Sequence, residues 1–394
     1  MRVAIFTDNF YPELGGLQDS VAMLARGLGE RGHTVRVYAP KASTKDFALG
    51  HLSVGEIDLG PNVTIERVFS FHQKTAVGQT RAVIPTGRCY FSLKKFKPDI
   101  IHTNACFGMG LEALWGAKFL RVPLVGTNHT AITEFVKNKY FSQEFSEKYS
   151  LKFVSWFYNH CDFVTAPSES VFTEMTANGF SRPHQVVSNP IDTKTFFLAD
   201  ENTKKQLKQS LGVSPHTFVF AARFSPEKNI DVLVKALALI KKKIPDAMLA
   251  LAGHGTEQER LEILANDLGV KENLKFFGTL SKAKLCELYQ ASDVFAIAST
   301  CETQGLVMMQ AFACGLPAVG VSARGLAEYI NDENGILVSP YDPKALAQEI
   351  AFLFENPSKR TKLGEGAYQF VQQFSIAAII DIWENLYAKL VKKD

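Results

Sequence analysis

A loop between a strand pattern and a helix pattern holds the residues best suited to chemistry. It is the segment Ser299–Gly315, with the sequence STCETQGLVMMQAFACG, and it follows the apolar run Asp293–Ser299. A helix that starts in such a loop offers unpaired N–H groups and the positive end of its dipole to anions and hydroxyl oxygens. Glu302 lies in the loop and Gln310 about one turn into the helix, so both side chains can face one ligand. These groups suit a polyol that carries phosphates, such as a sugar nucleotide.

Two cations follow an earlier strand pattern at a spacing that suits a diphosphate. Arg223 and Lys228 lie in ARFSPEKN (Ala222–Asn229), on either side of a Ser-Pro turn. A nucleoside diphosphate gains negative charge as it leaves a sugar, so two fixed cations would act where charge develops. An ordinary basic turn at the surface is the alternative interpretation.

A glycine pair and a histidine are further candidates in the first half of the chain. Gly15 and Gly16 lie in FYPELGGLQDSV, after the first strand pattern, and allow the backbone to approach a ligand. The loop lacks the G-x-G-x-x-G spacing, which argues against a dinucleotide-binding fingerprint. His129, in GTNHT, also ends a strand pattern and can position a hydroxyl group, and a structural histidine is the alternative. For His102, a role in ligand binding and a structural role are equally favoured. His33 is expected to be structural.

Thirteen short apolar runs alternate with helix patterns and must position these residues. They are residues 2–8, 34–40, 62–68, 99–104, 123–130, 162–167, 185–190, 217–223, 247–255, 273–278, 293–299, 317–321 and 335–340. Continuous apolar strands with helix-length crossovers predict parallel sheets covered on both faces, so the fold class is α/β with two doubly wound, Rossmann-like domains. A polar stretch after Asp192 is interpreted as the linker, which places the domains at 1–192 and 193–375. Ligands of such sheets bind beyond the carboxyl ends of the strands, where all the candidates lie, so we expect them to line a cleft between two facing domains.

The composition is that of a globular enzyme. The chain has 394 residues, of which 46% are hydrophobic and 21% charged, which suits two domains of ordinary size. No run of about 18 or more apolar residues occurs, so no spanning helix is predicted. The start, MRVAIFTDNFYPE, is interpreted as a strand and not as a signal peptide. The six cysteines form no C-x-x-C pair, so we expect reduced thiols in the cytoplasm and no metal site.

One stretch of the first half is strongly basic, although the whole chain has a net charge of only +3. From Arg67 to Lys97 there are seven basic residues, including Lys94 and Lys95, and no acidic ones. An aromatic stripe follows it in sequence. Its members are Phe141, Phe145, Tyr149, Phe153 and Phe157, with Trp156 beside them and several lysines nearby. Basic and aromatic residues together suit the interface of an anionic bilayer. For the basic run the alternative is a solvated face, and binding of nucleic acid is less favoured. For the aromatic stripe the alternative is core packing.

Taken together, these motifs resemble those of glycosyltransferase family 4. The segment Glu302–Leu306 (ETQGL) with Gln310 corresponds to the Glu-x7-Glu motif of that family, and its sequence is similar to the diacylglycerol glucosyltransferase branch. Arg223 and Lys228 match the cation pair of the family. The resemblance covers nearly the whole chain and implies a GT-B fold, with the last helix, within residues 376–394, crossing back to the first domain.

The resemblance also implies a role for each matched residue. Glu302 would bind hydroxyls of the donor sugar, Gln310 the ribose, and Arg223 and Lys228 the diphosphate, with His129 beside the sugar. Gln310 replaces the second Glu of the family, so it can donate and accept hydrogen bonds but cannot form the stronger charge-assisted one. Further donor-site positions are Gly15, Gly16, Gly253, Leu280, Thr303, Gln304, Gly305 and Leu306. The positions expected to face a membrane or the acceptor are Arg67, Lys94, Lys95, Lys97, Phe141, Phe145 and Trp156.

We therefore predict a retaining hexosyltransferase of glycolipid biosynthesis, which moves glucose from UDP-glucose to a lipid such as diacylglycerol. The chain has no D-x-D sequence, so we expect transfer without a metal and without any other cofactor. The expected partners are a nucleotide-sugar donor, a lipid or glycan acceptor and an anionic membrane surface, with the protein peripheral to the membrane in the cytoplasm. Two alternatives are a soluble glycan or metabolite as acceptor and a catalytically silent protein that binds a sugar nucleotide.

Overall fold

The chain forms two compact α/β units. A computed structural model describes residues 1–13, 15–49, 53–72, 81–129 and 143–392. The first unit comprises residues 1–190 together with 376–394, and the second comprises residues 191–375. We refer to them as the first and the second domain.

The first domain is built on a parallel sheet. Its strands are β1 (Arg2–Phe6), β2 (Thr34–Pro40), β3 (Val63–Val68), β4 (Phe71–His72), β5 (Arg81–Ala82), β6 (Ile100–Thr103), β7 (Leu124–Thr127), β8 (Phe163–Ala166) and β9 (His184–Val186). Seven of them form one sheet in the order β3-β2-β1-β6-β7-β8-β9, while β4 and β5 pair with each other antiparallel. Residues 3–6 of β1 are fully buried, because helices cover both faces of the sheet. The order of the strands reverses between β1 and β6, which is where ligands of doubly wound sheets bind.

The helices of the first domain connect these strands. They are α1 (Gly16–Glu30), α2 (Thr44–Leu49), α3 (Cys89–Phe96), α4 (Gly108–Leu120), α5 (Gln143–Tyr158) and α6 (Glu169–Thr176). Glu112 of α4 is buried and accepts hydrogen bonds from the backbone N–H groups of Thr86, Gly87 and Cys89. These bonds hold the start of the basic helix α3 against α4.

The second domain repeats the same plan. Its strands are β10 (Thr217–Ala221), β11 (Met248–Ala252), β12 (Leu274–Gly278), β13 (Val294–Ile297), β14 (Ala318–Val321) and β15 (Gly335–Val338). Its helices are α7 (Glu201–Leu211), α8 (Ile230–Ile240), α9 (Gln258–Asp267), α10 (Lys282–Gln290), α11 (Leu306–Ala313), α12 (Leu326–Tyr329), α13 (Pro343–Glu355) and α14 (Pro357–Gln372), with 3-10 turns at Pro226–Lys228 and Lys271–Asn273. The sheet order is β12-β11-β10-β13-β14-β15, all parallel, so the order reverses between β10 and β13.

The predicted fold class is confirmed, since each of the thirteen apolar runs contains or overlaps a strand of a parallel sheet. The antiparallel pair of β4 and β5 was not predicted, because two-residue strands carry no alternating pattern. Within the described part of the chain, no helix combines the length and the apolar character that crossing a bilayer requires.

The last helix, α15 (Ile376–Val391), belongs to the first domain and packs on α1. Gly27 permits the close approach, since a Cβ atom there would lie 2.6 Å from Cγ1 of Ile380. At the end of α1, Arg31 forms ion pairs with Asp381 at 2.7 Å and with Glu384 at 3.1 Å. Residues 376–391 therefore belong to the same domain as residues 1–190.

A buried histidine fixes the same helix to the sheet. His102 of β6 is fully buried, and its Nδ1 lies 2.7 Å from the hydroxyl oxygen of Tyr387 in α15. Its Nε2 lies 2.6 Å from Oγ1 of Thr127 in β7, and its ring packs in a tilted arrangement against Trp383, with 4.5 Å between centroids. These contacts give His102 a structural role.

We expect this histidine to make the first domain sensitive to acid. Burial lowers the pKa of His102 to about 3, and the nearby His129 acts in the same direction. In the unfolded chain its pKa is about 6.5, so the unfolded state takes up the proton first as the pH falls. The free energy of unfolding should therefore drop by about 2 kcal/mol between about pH 7 and about pH 5 on account of this residue.

Urea unfolding of the wild type and of His102→Gln at both pH values measures the effect, with the exposed His160→Gln as the matched control. The His102→Gln protein should lose this part of the pH dependence and the control should keep it. The same drop in all three proteins would contradict the assignment.

Candidate active site

An ion pair lies at the point where the strand order of the second domain reverses. Lys228 ends the turn after β10, and Glu302 lies in the loop after β13, the neighbouring strand. The Nζ atom of Lys228 donates to Oε1 of Glu302 at 2.6 Å. The two side chains are only 19% and 16% exposed. The sequence analysis assigned both residues to one site, and the structure brings them together.

The electrostatics of this pair keep both groups charged. Burial acts to lower the pKa of Lys228, but the Glu302 carboxylate and, behind it, Cys301 and Glu227 outweigh it, so the pKa is raised. Burial likewise acts to raise the pKa of Glu302, and the charge and hydrogen bond of Lys228 reverse this, so the pKa is lowered. The site therefore holds a fixed cation and a fixed carboxylate at neutral pH.

The second predicted cation lies on the same turn but has a different partner. Arg223 is half exposed, and its Nη2 donates to Oε1 of Glu227 at 3.2 Å. Glu227 also accepts a hydrogen bond from the hydroxyl of Ser225 and contributes to the field at Lys228. Glu227 was not selected from the sequence, although it lies within ARFSPEKN, because a carboxylate between two cations was not expected in an anion site.

Backbone contacts explain the glycines of this region. Gly253 has a φ of 126°, and a Cβ atom there would lie 1.8 Å from the carbonyl oxygen of Ala222. Its N–H donates to the carbonyl oxygen of Gly278 at 2.7 Å, so the loops after β10, β11 and β12 lie against one another. Leu280 follows in the last of these loops and packs on the core of the second domain.

The loop that carries Glu302 is fixed by the start of two helices. Gly305 has a φ of 81° and precedes the first residue of α11, Leu306. The carbonyl oxygen of Glu302 accepts a hydrogen bond from the N–H of Gly325 at 3.1 Å, and a Cβ atom on Gly325 would lie 2.2 Å from the carbonyl oxygen of Thr303. Gln304 and, within α11, Gln310 are buried. The predicted donor-site positions of the second domain thus belong to loops and helix starts at one edge of its sheet.

The first domain has a polar cluster of its own around His129. The Nε2 atom of His129 lies 2.8 Å from Oδ1 of Asn104, which follows β6. Ser20 of α1 donates to Oδ1 of Asn189 at 2.8 Å, and Asn189 in turn interacts with His129. Burial lowers the pKa of His129 to about 4, and the Asn189 contact opposes this only in part. His129 is therefore neutral at physiological pH, and neither asparagine was selected from the sequence.

The N-terminal glycines have a simple local role. Gly16 begins α1, and Gly15 precedes it in an extended conformation (φ 169°) that does not require glycine. Both are exposed. Asp8, at the end of β1, accepts hydrogen bonds from the N–H groups of Phe107 and Met109 and so fixes the start of α4.

The basic run divides into buried and exposed members. The guanidinium of Arg67 forms two hydrogen bonds with Glu56 and one each with the carbonyl oxygens of Pro40 and Tyr11, and its side chain is only 13% exposed. These contacts give it a structural role in the first domain. In contrast, Lys94 and Lys95 of α3 and the following Lys97 are exposed.

The aromatic stripe also divides. Phe157 is buried in the core, Phe153 is half-buried, and Tyr149 and Trp156 are exposed. Phe141 lies outside the described residues, and so does the side chain of Phe145. Two exposed aromatic residues were missed: Phe91 of α3 and Phe119 of α4 are 75% and 64% exposed. Their signal was present in the sequence, since Phe91 lies three residues before Lys94.

The described residues contain no candidate metal site. In that part of the chain, no three side chains of His, Cys, Asp or Glu lie close enough together to hold an ion.

Comparisons with known proteins identify the family of the chain. Residues 201–370 match the family model of group 1 glycosyl transferases, and residues 14–195 match that of glycosyltransferase family 4. The α-monoglucosyldiacylglycerol synthase of Acholeplasma laidlawii is 26% identical over 100% of this chain and 98% of its own length. The D-inositol 3-phosphate glycosyltransferase of Corynebacterium glutamicum is 26% identical over 98% of this chain and 96% of its own.

Among solved structures, that of Anabaena HepE in complex with UDP-glucose has a TM-score of 0.76. It is 21% identical and covers 98% of this chain and 100% of its own. Both domains of the present chain thus have the parallel-sheet architecture of the GT-B fold. Because the two family models together extend from residue 14 to residue 370, the chain belongs to the family 4 glycosyltransferases.

Proposed function

We propose that this protein is a retaining, metal-independent glucosyltransferase that transfers glucose from UDP-glucose to a lipid hydroxyl such as that of diacylglycerol. The observation that carries the proposal is the Lys228–Glu302 pair at the switch point of the second sheet. A cation and a carboxylate in one place suit a ligand with both a diphosphate and hydroxyl groups. The activity of the Acholeplasma laidlawii relative supports a glycolipid product, and the UDP-glucose bound to HepE supports the donor.

The transfer step uses these charges where charge develops. As the bond between C1 of the glucose and the β-phosphate oxygen breaks, negative charge grows on the departing UDP, and Lys228 and Arg223 stabilise it. The acceptor oxygen forms its bond to C1 on the same face, and its proton passes to the departing phosphate oxygen. Glu302 orients the sugar by accepting hydrogen bonds from its hydroxyls, and it also holds Lys228 in position.

Two polar side chains complete the proposed donor site. Neutral His129 positions a sugar hydroxyl from the first domain, since its low pKa keeps the ring uncharged. Gln310, buried in α11, hydrogen bonds the ribose, with the amide in place of a carboxylate. We further propose that no metal ion takes part, so that Lys228 and Arg223 supply the positive charge that a divalent ion gives other enzymes.

The proposed membrane contact is the exposed face of α3. We propose that the rest of the protein lies in the cytoplasm. The exposed face of α3 combines the cations Lys94 and Lys95 with Phe91, and Phe119 of α4 lies close by, since both phenylalanine rings contact Tyr90. Each cation near an anionic surface contributes about 1 kcal/mol, and exposed aromatic rings add an apolar contribution that salt does not screen.

A soluble acceptor is the second candidate. The relative named as a D-inositol 3-phosphate glycosyltransferase favours this candidate, because an acceptor of that kind needs no membrane. A protein that binds UDP-glucose without transferring it is the remaining alternative, motivated by Gln310.

The first experiment tests the reaction itself. The full chain is incubated with UDP-, GDP- and ADP-glucose, with and without diacylglycerol vesicles, and the product is identified by mass. We expect glucosyldiacylglycerol from UDP-glucose only, and the same yield in EDTA. Loss of activity in EDTA that manganese restores would refute metal independence, and tight UDP-glucose binding without any product would favour the silent binder.

The second prediction concerns the two cations. Arg223→Ala and Lys228→Ala should each lower turnover by on the order of 10²-fold, because each removes a charge directed at the leaving diphosphate. Lys205→Ala, which removes an exposed charge from α7, is the matched control and should leave the rate unchanged. Turnover near the wild-type value in both site variants would reject the diphosphate assignment.

The third prediction concerns the membrane. Binding to vesicles in a sedimentation assay should rise with anionic lipid content and fall with salt. Replacing Lys94, Lys95 and Lys97 by Gln should weaken binding at low salt, and Phe91→Ser should weaken the part that persists at high salt. Replacing Lys241, Lys242 and Lys243 of the second domain removes the same charge elsewhere and serves as control. Equal losses in both triple variants, or no binding by the wild type, would remove the membrane contact and favour the soluble acceptor.

A further inference from the structure

The candidate site of the second domain holds two carboxylates, although its proposed ligand is an anion. Arg223 and Lys228 are the cations, and each forms an ion pair with an acidic residue, Glu227 and Glu302 respectively. The formal charges of these four side chains cancel, so together they offer a diphosphate no net positive charge. The proposed function requires Glu302, which binds hydroxyls of the sugar, but it does not require Glu227.

Glu227 is fixed within the turn that carries both cations. It lies in the 3-10 segment Pro226–Lys228, which follows β10. Its Oε1 atom accepts a hydrogen bond from Nη2 of Arg223 at 3.2 Å and another from the hydroxyl of Ser225. The side chain of Glu227 is only 17% exposed, so water weakens its field less than at an open surface. A carboxylate is thus held beside the arginine that is proposed to meet the diphosphate.

This carboxylate is ionised and acts on the second cation as well. Burial acts to raise the pKa of Glu227, but the hydrogen bond from Ser225 and the charges of Arg223 and Lys228 outweigh it, so the pKa is lowered. Burial opposes the raised pKa of Lys228, and the charge of Glu227 adds to that of Glu302 in overcoming it. At neutral pH, Glu227 therefore carries a negative charge that both cations experience.

A fixed carboxylate beside two cations works against the binding of phosphates. Arg223 and Lys228 attract the negative charge of UDP, and Glu227 repels it. Because the Coulomb energy falls only with the first power of distance, a carboxylate in contact with Arg223 still acts on a phosphate bound to that arginine. Release of the product limits turnover in many enzymes, so weaker binding of the departing nucleotide is useful once transfer is complete.

Resting on the proposed function, we propose that Glu227 sets the affinity of the site for its anionic leaving group. By repelling the diphosphate and competing for Arg223, its carboxylate weakens the binding of UDP and speeds its release after transfer. The effect is confined to ligands that carry phosphates, since uridine brings no charge to the two cations. In this role Glu227 touches neither the sugar nor the acceptor.

Binding measurements on the full chain test the inference without any turnover. Glu227→Gln removes the charge but keeps an oxygen that can accept hydrogen bonds from Arg223 and Ser225. The Kd for UDP, from calorimetric titration, should fall by about tenfold in this variant. The rate of UDP dissociation, from stopped flow, should fall by a similar factor, because affinity changes within one site lie mostly in dissociation. The Kd for uridine, from ligand-observed NMR, should not change.

Two further variants serve as controls. Glu227→Asp keeps the charge, so its Kd for UDP should lie closer to that of the wild type than to that of Glu227→Gln. Glu355→Gln removes a carboxylate from an ion pair with Lys243 elsewhere in the second domain and should alter neither ligand. Glu227→Ala is a second neutral variant, and it decides if circular dichroism shows that Glu227→Gln does not fold.

The direction of the change decides the outcome. If the neutral variant binds UDP as the wild type does, or less tightly, the inference is overturned, since a carboxylate that only holds the cations in place would strengthen binding of the anion. An equal change for uridine would also overturn it, because the whole site would then have rearranged. Tighter binding of UDP in a protein that transfers no glucose would refute the proposed function and leave this inference intact. Equal affinity of the wild type for UDP and uridine would refute the diphosphate assignment and the inference together.

Discussion

The second domain depends on one constraint: two opposite charges must remain ionised in a place largely removed from water. Lys228 and Glu302 meet this constraint as a pair. Burial of either group alone would favour its uncharged form, and the opposite charge of the partner prevents this. Neighbouring strands β10 and β13 supply the two residues, so the pair also ties together the loops at the reversal point of the sheet. Removing either partner would leave the other buried and uncompensated, a loss of several kcal/mol in typical proteins. Each charge of the pair thus stabilises the other, and the pair suits a ligand that has both an anionic group and hydroxyl groups.

Among the described residues near the reversal point of the first domain, no ion pair comparable to that of Lys228 and Glu302 occurs. His102 and His129 are kept neutral by burial, and two asparagines, one threonine and one tyrosine supply their partners. The two domains therefore differ in the chemistry of equivalent sheet edges, charged in the second and mainly neutral or acidic in the first.

Much of this was accessible from the sequence, and the reasons for the rest are physical. The strands were predictable because buried parallel strands are apolar throughout, and the proximity of Lys228 and Glu302 followed from the position of both at strand ends. The partners of charged groups were not predictable. Arg67 was counted with the exposed cations, but Glu56 and two backbone carbonyls hold it, and no local pattern encodes contacts over such separations.

The aromatic stripe shows a related limit. A repeat of four residues drifts around a helix with 3.6 residues per turn, so Tyr149 faces solvent while Phe157 lies in the core. Core packing, one of the two alternatives, thus holds for part of the stripe only, and membrane contact by the rest stays a prediction. The neighbouring elements decide which residues of the helix are buried and which are exposed. The spacing of the aromatic residues alone does not reveal this.

The return of α15 to the first domain has a consequence for biosynthesis. A ribosome releases the N-terminal strands early, but the tyrosine that meets His102 is residue 387 of 394. Throughout translation of the second domain, the face of α1 around Gly27 lacks the helix that covers it in the finished protein. The second domain is one continuous segment, residues 191–375. Its whole sequence is therefore synthesised before residues 376–391 of the first domain. The nascent chain thus exposes this apolar surface until residues 376–391 have been synthesised, and transiently exposed apolar surface favours aggregation.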